Sequence, residues 1–398
     1  MAGRARTVAK AFRNQAGERI ELLKAPEPRA RASGARAGKA KAKPAKGIDP
    51  ALEQIDPSSP WHIDDRKMPR TDNFPARARW CLKYAVLAPS SHNSQPWRFR
   101  IGAGHIDVLA DRSRALPVCD PHDRELTISC GCALFHLRLA MRRMHMADRV
   151  CLLPDARDHD LLARVEFEEG GSASVTDLRM LDAVIRRRTV RAAFRNEPVP
   201  DALVVEMTAA AQKLGATLSV VAGKVPRAAL ASLVGEADQV QFASRSFRRE
   251  LALWMHHNRT HLSDGIPGHA MGMSELESLV APLVVRTFDL GHGRGAKDEQ
   301  LALHSPLLCV LGTESDTPRD WLNAGQALAS VLLLGTAAGV SASYLNQPVE
   351  VPELRPRLAR LVPAAGVPQI VLRMGLASPE HVPAHTPRRR VEDVTISG

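Results

Sequence analysis

Two short stretches of this 398-residue chain carry side chains whose types and spacing suit ligand chemistry. The first is AVLAPSSHNSQPWRFR, residues 85–100. After Pro89, the residues Ser90, Ser91, Asn93, Ser94 and Gln95 set five uncharged hydrogen-bonding side chains on one turn before Pro96 restricts the backbone again. Such a loop can grip a polar, planar ring without presenting a charge to it. The second is RRRTVR, residues 186–191, in which Arg187, Thr189 and Arg191 alternate. In an extended segment all three project to one side, and two guanidinium forks flanking a hydroxyl make a phosphate clamp. The plainer alternatives are a solvated turn for the first stretch and a basic helix end for the second. Other reactive residues signal less. The sequence shows no Ser-His-Asp or Cys-His signature, and His92, inside the loop, reads first as solvent-facing. Cys130 and Cys132 sit two apart in a helical pattern and point in different directions. His257 and His261 lack an intervening Glu and lie near a helix end, so neither pair argues for a metal.

The flanking patterns show which elements must hold these stretches. Trp97, Phe99 and Ile101 alternate with Arg98 and Arg100, which predicts a half-buried strand directly after the loop. A helix over 75–87 precedes it and a strand over 105–110 follows. A long helix over 123–146 carries Leu126, Cys130, Leu134, Leu137 and Met141 on one face. Short strands are expected over 150–153 and 162–167. Residues 178–194 begin as a helix and give way to the arginine corner. Beyond it the pattern predicts a helix over 202–213, a strand over 217–221 and a long helical region over 227–257. Residues 258–297 are Gly-rich and irregular on both sides of an apolar piece, which suits a mobile lid. A strand over 306–312, helices over 321–340 and 352–361, and strands over 341–346 and 369–375 complete the chain. The helix at 321–340 repeats the one at 123–146. CGCALFHLRLA aligns with AGQALASVLLL, placing Gly131 over Gly325, Ala133 over Ala327, Leu134 over Leu328 and Leu139 over Leu333, each pair 194 residues apart. An internal duplication follows from the residues alone.

Composition bounds the class. Hydrophobic residues make up 44% of the chain and aromatic residues 4%, so the core rests on Leu, Val and Ala, which suits helix-rich packing. The length allows two domain-sized units or one large fold built by duplication. No apolar run reaches the about 18 residues of a membrane span, and a cytoplasmic protein is expected. The six cysteines, scattered among apolar neighbours with no secretory h-region, read as reduced, buried thiols. Charge is uneven: residues 1–50 hold 13 of the 54 Lys/Arg and 4 of the 43 Asp/Glu, and so carry most of the formal net charge of +11. A disordered basic leader over residues 1–67 is expected, with Met68 as an alternative start. It lacks the interleaved aromatics that stack on bases, so nucleic acid is not an expected partner.

PSSHNSQPW resembles the flavin-contacting loop of the FMN-dependent nitroreductases, and the arginine corner resembles that family's Arg-x-Ser-x-Arg phosphate motif, with Thr189 in place of the serine. The continuation DVLADRSRALPVCDPHDRELTISCGCALFHLRLA, residues 107–140, resembles a narrower group, the Acg-like nitroreductases, whose single chain looks like two fused subunits. The resemblance spans about residues 75–395 and weakens over 225–297. It implies an α+β nitroreductase-like fold of two pseudo-symmetric halves, residues 68–176 and 177–398, in a monomer that mimics a homodimer. One composite FMN site is implied. Pro89, Ser90, Ser91, Asn93 and Gln95 of the first half would meet the ring edge, and Arg187, Thr189 and Arg191 of the second the phosphate. Arg388 or Arg389 would add a phosphate contact, and Asn346 or Gln347 would approach the ring. The implied activity is reduction of nitro or quinone-like small-molecule acceptors with electrons from NAD(P)H by ping-pong hydride transfer, the flavin rather than a side chain carrying the chemistry. The alternative is an FMN-sequestering, stress-associated binding protein with a closed lid.

Overall fold

The computed structural model describes residues 58–396. The expected leader therefore lies outside the described residues up to residue 57. Its last part does not behave as a leader: Trp61 is buried, and its indole N–H donates to the Thr386 carbonyl at 2.8 Å. The folded chain thus begins before Met68.

The first half opens with α1 (Phe74–Ala85). The Asn73 side chain caps it, Pro75 fits its first turn, and it buries Trp80, Leu82 and Tyr84. The Ser/Asn loop then feeds the hairpin β1 (Trp97–Ile101) and β2 (His105–Ala110), which turns at Gly104 with a φ of 79° that glycine alone adopts freely. Next come α2 (Arg124–Arg143), β3 (Met146–Leu152) and β4 (Leu161–Glu169). The helix stops short of its expected end because the chain turns at His145, whose φ is 57°, and the following strand starts correspondingly early. These strands form an antiparallel sheet in the order β1-β2-β4-β3. A connecting helix α3 (Val175–Val184), started by a Ser174/Asp177 capping box, leads to the arginine corner.

The second half contains α4 (Asp201–Lys213) and β5 (Thr217–Val220), and then residues 221–306. That insertion is built of α5 (Lys224–Ala243), α6 (Arg245–Trp254), a two-residue pair β6 (Met255–His256) and β7 (Ile266–Pro267), α7 (Glu275–Thr287) and α8 (Gly291–Leu303). It is followed by β8 (Leu307–Thr313), α9 (Pro318–Ala337), β9 (Val340–Tyr344), α10 (Gln347–Glu350), α11 (Arg355–Leu361) and β10 (Val367–Leu376). The second sheet is antiparallel in the order β5-β8-β10-β9. The halves match strand for strand: in each, a central helix joins the second strand to the third, and the fourth inserts between them. Both α9 and β9 begin 194 residues after α2 and β3. The fold is α+β and internally duplicated, as the aligned helices imply. The halves differ where the tight β1–β2 hairpin is replaced by the insertion between β5 and β8.

That insertion is helical through much of the span where the sequence suggests an irregular lid. Ser274 and Glu277 form a capping box for α7. The glycines of α8 include a packing device, because a Cβ on Gly295 would meet the Gly235 carbonyl oxygen of α5 at 2.7 Å. Glycine content there reflects close helix contact rather than a loop. The tail returns to the first half: α12 (Val391–Val394) precedes β11 (Thr395–Ile396), which pairs parallel with β1, Phe99 opposite Thr395. The second half therefore completes the first half's sheet. Among the cysteines, Cys151 is exposed and the other five are buried.

A single apolar core joins both halves, with Leu134 and Leu137 of α2 and Leu328 and Leu333 of α9 among its members. The two helices meet at the duplicated glycines. A Cβ on Gly131 would lie 2.5 Å from the Leu322 carbonyl oxygen and 3.0 Å from Gly325 Cα, so the contact is backbone on backbone. We expect Gly131→Ala to destabilise the protein by about 1–3 kcal/mol through overpacking, although alanine is the better helix former by about 1 kcal/mol. Gly293→Ala, in α8 with nothing within 4 Å of the new Cβ, should be neutral or gain up to about 1 kcal/mol. Urea unfolding midpoints of the two variants decide, and a Gly131→Ala variant as stable as wild type refutes the contact.

Candidate ligand-binding cavity

The Ser/Asn loop is held in a costly shape. His92, Asn93 and Gln95 have φ of 53°, 55° and 53°, a region that Asn tolerates but that costs other residues about 1–3 kcal/mol each. The loop keeps that shape because its polar groups are consumed. Ser90 Oγ accepts from the Gln95 amide at 2.9 Å, and Ser91 Oγ donates to the buried Glu125 carboxylate. Asn93 donates both amide hydrogens, to the Gly265 carbonyl of the insertion at 2.9 Å and the Pro387 carbonyl of the tail at 3.0 Å. Its Oδ1 accepts from Arg388 Nη1 at 2.6 Å. Gln95 Nε2 donates to the Ser263 carbonyl at 2.8 Å, and Arg114 pairs with Asp264. Residues 263–265 of the insertion are thus latched onto the loop.

The arginine corner is extended as its alternation suggests. Val190 N–H donates to the Ala342 carbonyl of β9 at 3.0 Å, beside a Thr189–Ala342 bridge. From β10, the buried Arg373 stacks on Phe194 at 4.6 Å and donates to the Ala192 and Val190 carbonyls at 3.0 and 3.2 Å. One arginine thus fixes the strand that displays the others.

Loop and corner face one cavity of about 980 Å³, the upper end of the size range of small-molecule sites. Of the residues singled out in the sequence, Pro89, Ser90, Ser91 and Asn93 line it from the first half and Arg187, Thr189 and Arg191 from the second. Asn346, Gln347 and Arg388 join them. His92 also lines it and is half-buried, not solvent-facing. Gln95 and Arg389 do not. They bind each other, Arg389 N–H to Gln95 Oε1 at 2.8 Å, and Arg389 also pairs with Asp111, so both fasten the tail to the loop behind the cavity. Cys130 and Cys132 donate to different carbonyls, Pro96 and Gly325. No group of three or more His, Cys, Asp or Glu among the described residues is arranged to hold a metal.

The electrostatics of the arginine end are unusual. Arg187 and Arg388 are 5% exposed, and the Nε of each has no hydrogen-bond partner. Burial pushes Arg187 below the ordinary arginine range; burial and the nearby Arg187 push Arg388 far below it. His385 is pushed down to about 2, by burial and then by Arg188, Arg388 and Arg187, and neither of its ring nitrogens has a partner. The Tyr344 hydroxyl beside these arginines is also unpaired. Burial takes Arg191 down to about 10, with help from Arg294. Buried guanidinium groups with unfilled donors are expensive unless an anion meets them. Burial likewise pushes His92 down to about 4, so its ring is neutral at pH 7.

Several lining residues carry no sequence signal of their own. Trp61 stacks on His385 with ring centroids 3.9 Å apart and lies under the Arg388 guanidinium at 4.8 Å. Glu125 lies on a helix that reads as core, and its Oε1 accepts from Asn346 at 3.4 Å. Asp238 and Asp298 come from α5 and α8 of the insertion. Tyr344 ends β9 and stands 194 residues after Val150 of β3 in the duplicated frame.

No family model matches the chain. It is 32% identical over 319 residues, 79% of this chain and 90% of the other, to "Putative NAD(P)H nitroreductase Rv3131" of Mycobacterium tuberculosis. It is 29% identical over 324 residues, 79% of this chain and 93% of the other, to "Putative NAD(P)H nitroreductase acg" of the same organism. Among solved structures, the FMN-dependent nitroreductase NfnB of Mycobacterium smegmatis, in complex with NADPH, aligns with 56% of this chain and 97% of its own at 18% identity and a TM-score of 0.35. The 32% identity to the first of these relatives, over most of both chains, means that the chain belongs to the NAD(P)H nitroreductase family.

Proposed function

We propose that this chain is an FMN-dependent oxidoreductase that takes electrons from NAD(P)H and passes them to nitro or quinone-like acceptors in a ping-pong cycle. The observation that carries the proposal is the pair of buried guanidinium groups of Arg187 and Arg388, each with an unpartnered Nε, lining the same cavity as an uncharged polar loop. That donor set fits a flavin mononucleotide. The two Nε atoms, the Tyr344 hydroxyl and the Thr189 hydroxyl would receive the phosphate, and Ser90, Ser91 and His92 would border the ring. When bound, the flavin supplies reversible hydride acceptance at its ring. The chain's own residues hold and orient it, and the insertion supplies part of the cavity wall. Each motif occurs once and in opposite halves, so one site per chain is expected. We also read the protein as a cytoplasmic, pseudo-dimeric monomer; the matching strand orders support the pseudo-dimer, and no helix among the described residues is long and apolar enough to cross a membrane.

A second reading is flavin sequestration with little turnover. It is favoured by the latch of residues 263–265 on Asn93 and Gln95, which commits the loop's amides internally. Stopped-flow mixing of FMN-loaded protein with NADPH or NADH separates the two. Bleaching of the flavin followed by reoxidation on adding a nitroaromatic or quinone supports turnover, and bound flavin that never bleaches removes it.

Titration with FMN should saturate at one flavin per chain; two per chain refutes the composite site. Arg187→Ala should weaken FMN roughly ten- to a hundredfold, the loss of one charge-assisted hydrogen bond of about 1.5–3 kcal/mol, while riboflavin, which has no phosphate, keeps its affinity. Asn93→Ala removes the side chain that ties Arg388 to the Gly265 and Pro387 carbonyls, so it should lower both FMN affinity and the unfolding free energy by about 1–3 kcal/mol. FMN binding unchanged in Asn93→Ala contradicts the role of the tail arginine.

A further inference from the structure

The insertion walls one chamber of the cavity, where Phe242, Leu251, Met255 and Met271 give it an apolar lining. In that chamber lies Asp238 of α5, only 1% exposed. Its Oδ1 accepts from Gln347 Nε2 at 3.2 Å, but its Oδ2 has no partner. Gln347 spends its amide group on two carboxylates, donating also to Asp298 Oδ2 at 3.2 Å, and its own Oε1 is likewise bare. Because the Gln347 amide bonds the Asp238 carboxylate directly, the two unpartnered oxygens belong to one joined pair. Buried acceptors of this kind are rare in a finished core. They sit where the insertion, which the first half lacks, meets α10.

Two adjacent acceptors call for a group with two hydrogens to give. The charges around them decide against a full cation. Asp298 is already paired with Arg294 at 3.0 Å, and Lys297 and Arg191 line the same region. Burial, and then the neighbouring Asp298 carboxylate, push the Asp238 carboxyl up to about 7. The apolar wall adds the requirement of a ring or other hydrophobic body.

We infer that this chamber is a binding subsite for an aromatic molecule bearing a neutral –NH2 group, a primary amide or an arylamine, with one hydrogen given to Asp238 Oδ2 and the other to Gln347 Oε1. Under the proposed oxidoreductase function, on which the role of the ligand but not its binding rests, that group belongs either to the carboxamide of the dihydronicotinamide donor or to an amino-substituted aromatic acceptor. The insertion is then a specificity element as well as a cover. An analogue without the two hydrogens leaves both oxygens bare in a dry pocket, and rejection of such analogues is strong in sites of this kind.

The test titrates the full chain, with and without FMN, by calorimetry or ligand-observed NMR, using benzamide, N,N-dimethylbenzamide, aniline and N,N-dimethylaniline. We expect benzamide, aniline or both to bind at least roughly tenfold more tightly than the dimethyl counterpart, the scale of one buried hydrogen bond. Selectivity in the benzamide arm assigns the subsite to the amide of the electron donor, and selectivity in the aniline arm to an amino-aromatic acceptor. Asp238→Asn should bring the ratio close to one, and Gln347→Leu should do the same should the first variant melt early by circular dichroism. Equal affinity of both members of each pair in the wild type, no saturable binding, or a ratio unchanged in the variants overturns the subsite. Selective binding in a protein that takes up no FMN by absorbance keeps the subsite and overturns the oxidoreductase reading instead.

Discussion

The contact of Gly131 with Gly325 sets the distance between the two halves, and the position of everything functional follows from it. Two helices can approach backbone to backbone only where neither carries a Cβ, and here the duplicated glycines supply that on both sides at once. The close approach merges what would be two cores into one. It also brings the end of β9 and the arginine corner, both fastened to the second sheet, opposite the loop that precedes β1. A cavity between halves is thus a by-product of how tightly their central helices cross.

Within that cavity the chain divides its polar resources unequally. The loop satisfies itself, amide against carbonyl and hydroxyl against carboxylate, and holds three left-handed residues in place by doing so. The arginine end leaves the Nε of Arg187 and Arg388 without partners, and aromatic rings lie under Arg388 and Arg373, Trp61 and Phe194 respectively. Arg373 is the informative contrast. The Nε of both Arg373 and Arg187 is bare, but Arg373 donates through Nη1 and Nη2 to two carbonyls and is structural. Residue type does not separate the two roles; partner count does.

Much of the architecture could be read from the chain because it rests on local signals. Alternation announced β1, the spacing of leucines announced α2 and α9, and the 194-residue repeat announced the duplication. The phosphate-like arginine pattern and the polar loop were visible as spacing. What escaped depended on partners far away in sequence. Gln95 and Arg389 look like site residues by type, yet they satisfy each other across 294 positions. Trp61 sits in what composition describes as a leader, and only the tail arriving beneath it buries it. The glycines of α8 resemble a loop until Gly235 is seen against them. His92 changes character for the same reason: its loop is covered by an insertion whose path the sequence does not specify.

The return of the tail to the first sheet has a consequence for biosynthesis. On the ribosome, α1 through β4 emerge early with four of the five strands of their sheet, and the outer edge of β1 has no neighbour until β11 is made, after the rest of the second half. For that interval the nascent chain presents an open strand edge carrying Trp97 and Phe99, the feature that chaperones guard and that drives edge-to-edge misassembly. The same delayed segment brings Arg388 to the cavity, so a chain that has not yet closed its first sheet has also not completed its anion site. Completion of the fold and competence to bind are one event, timed by the final strand.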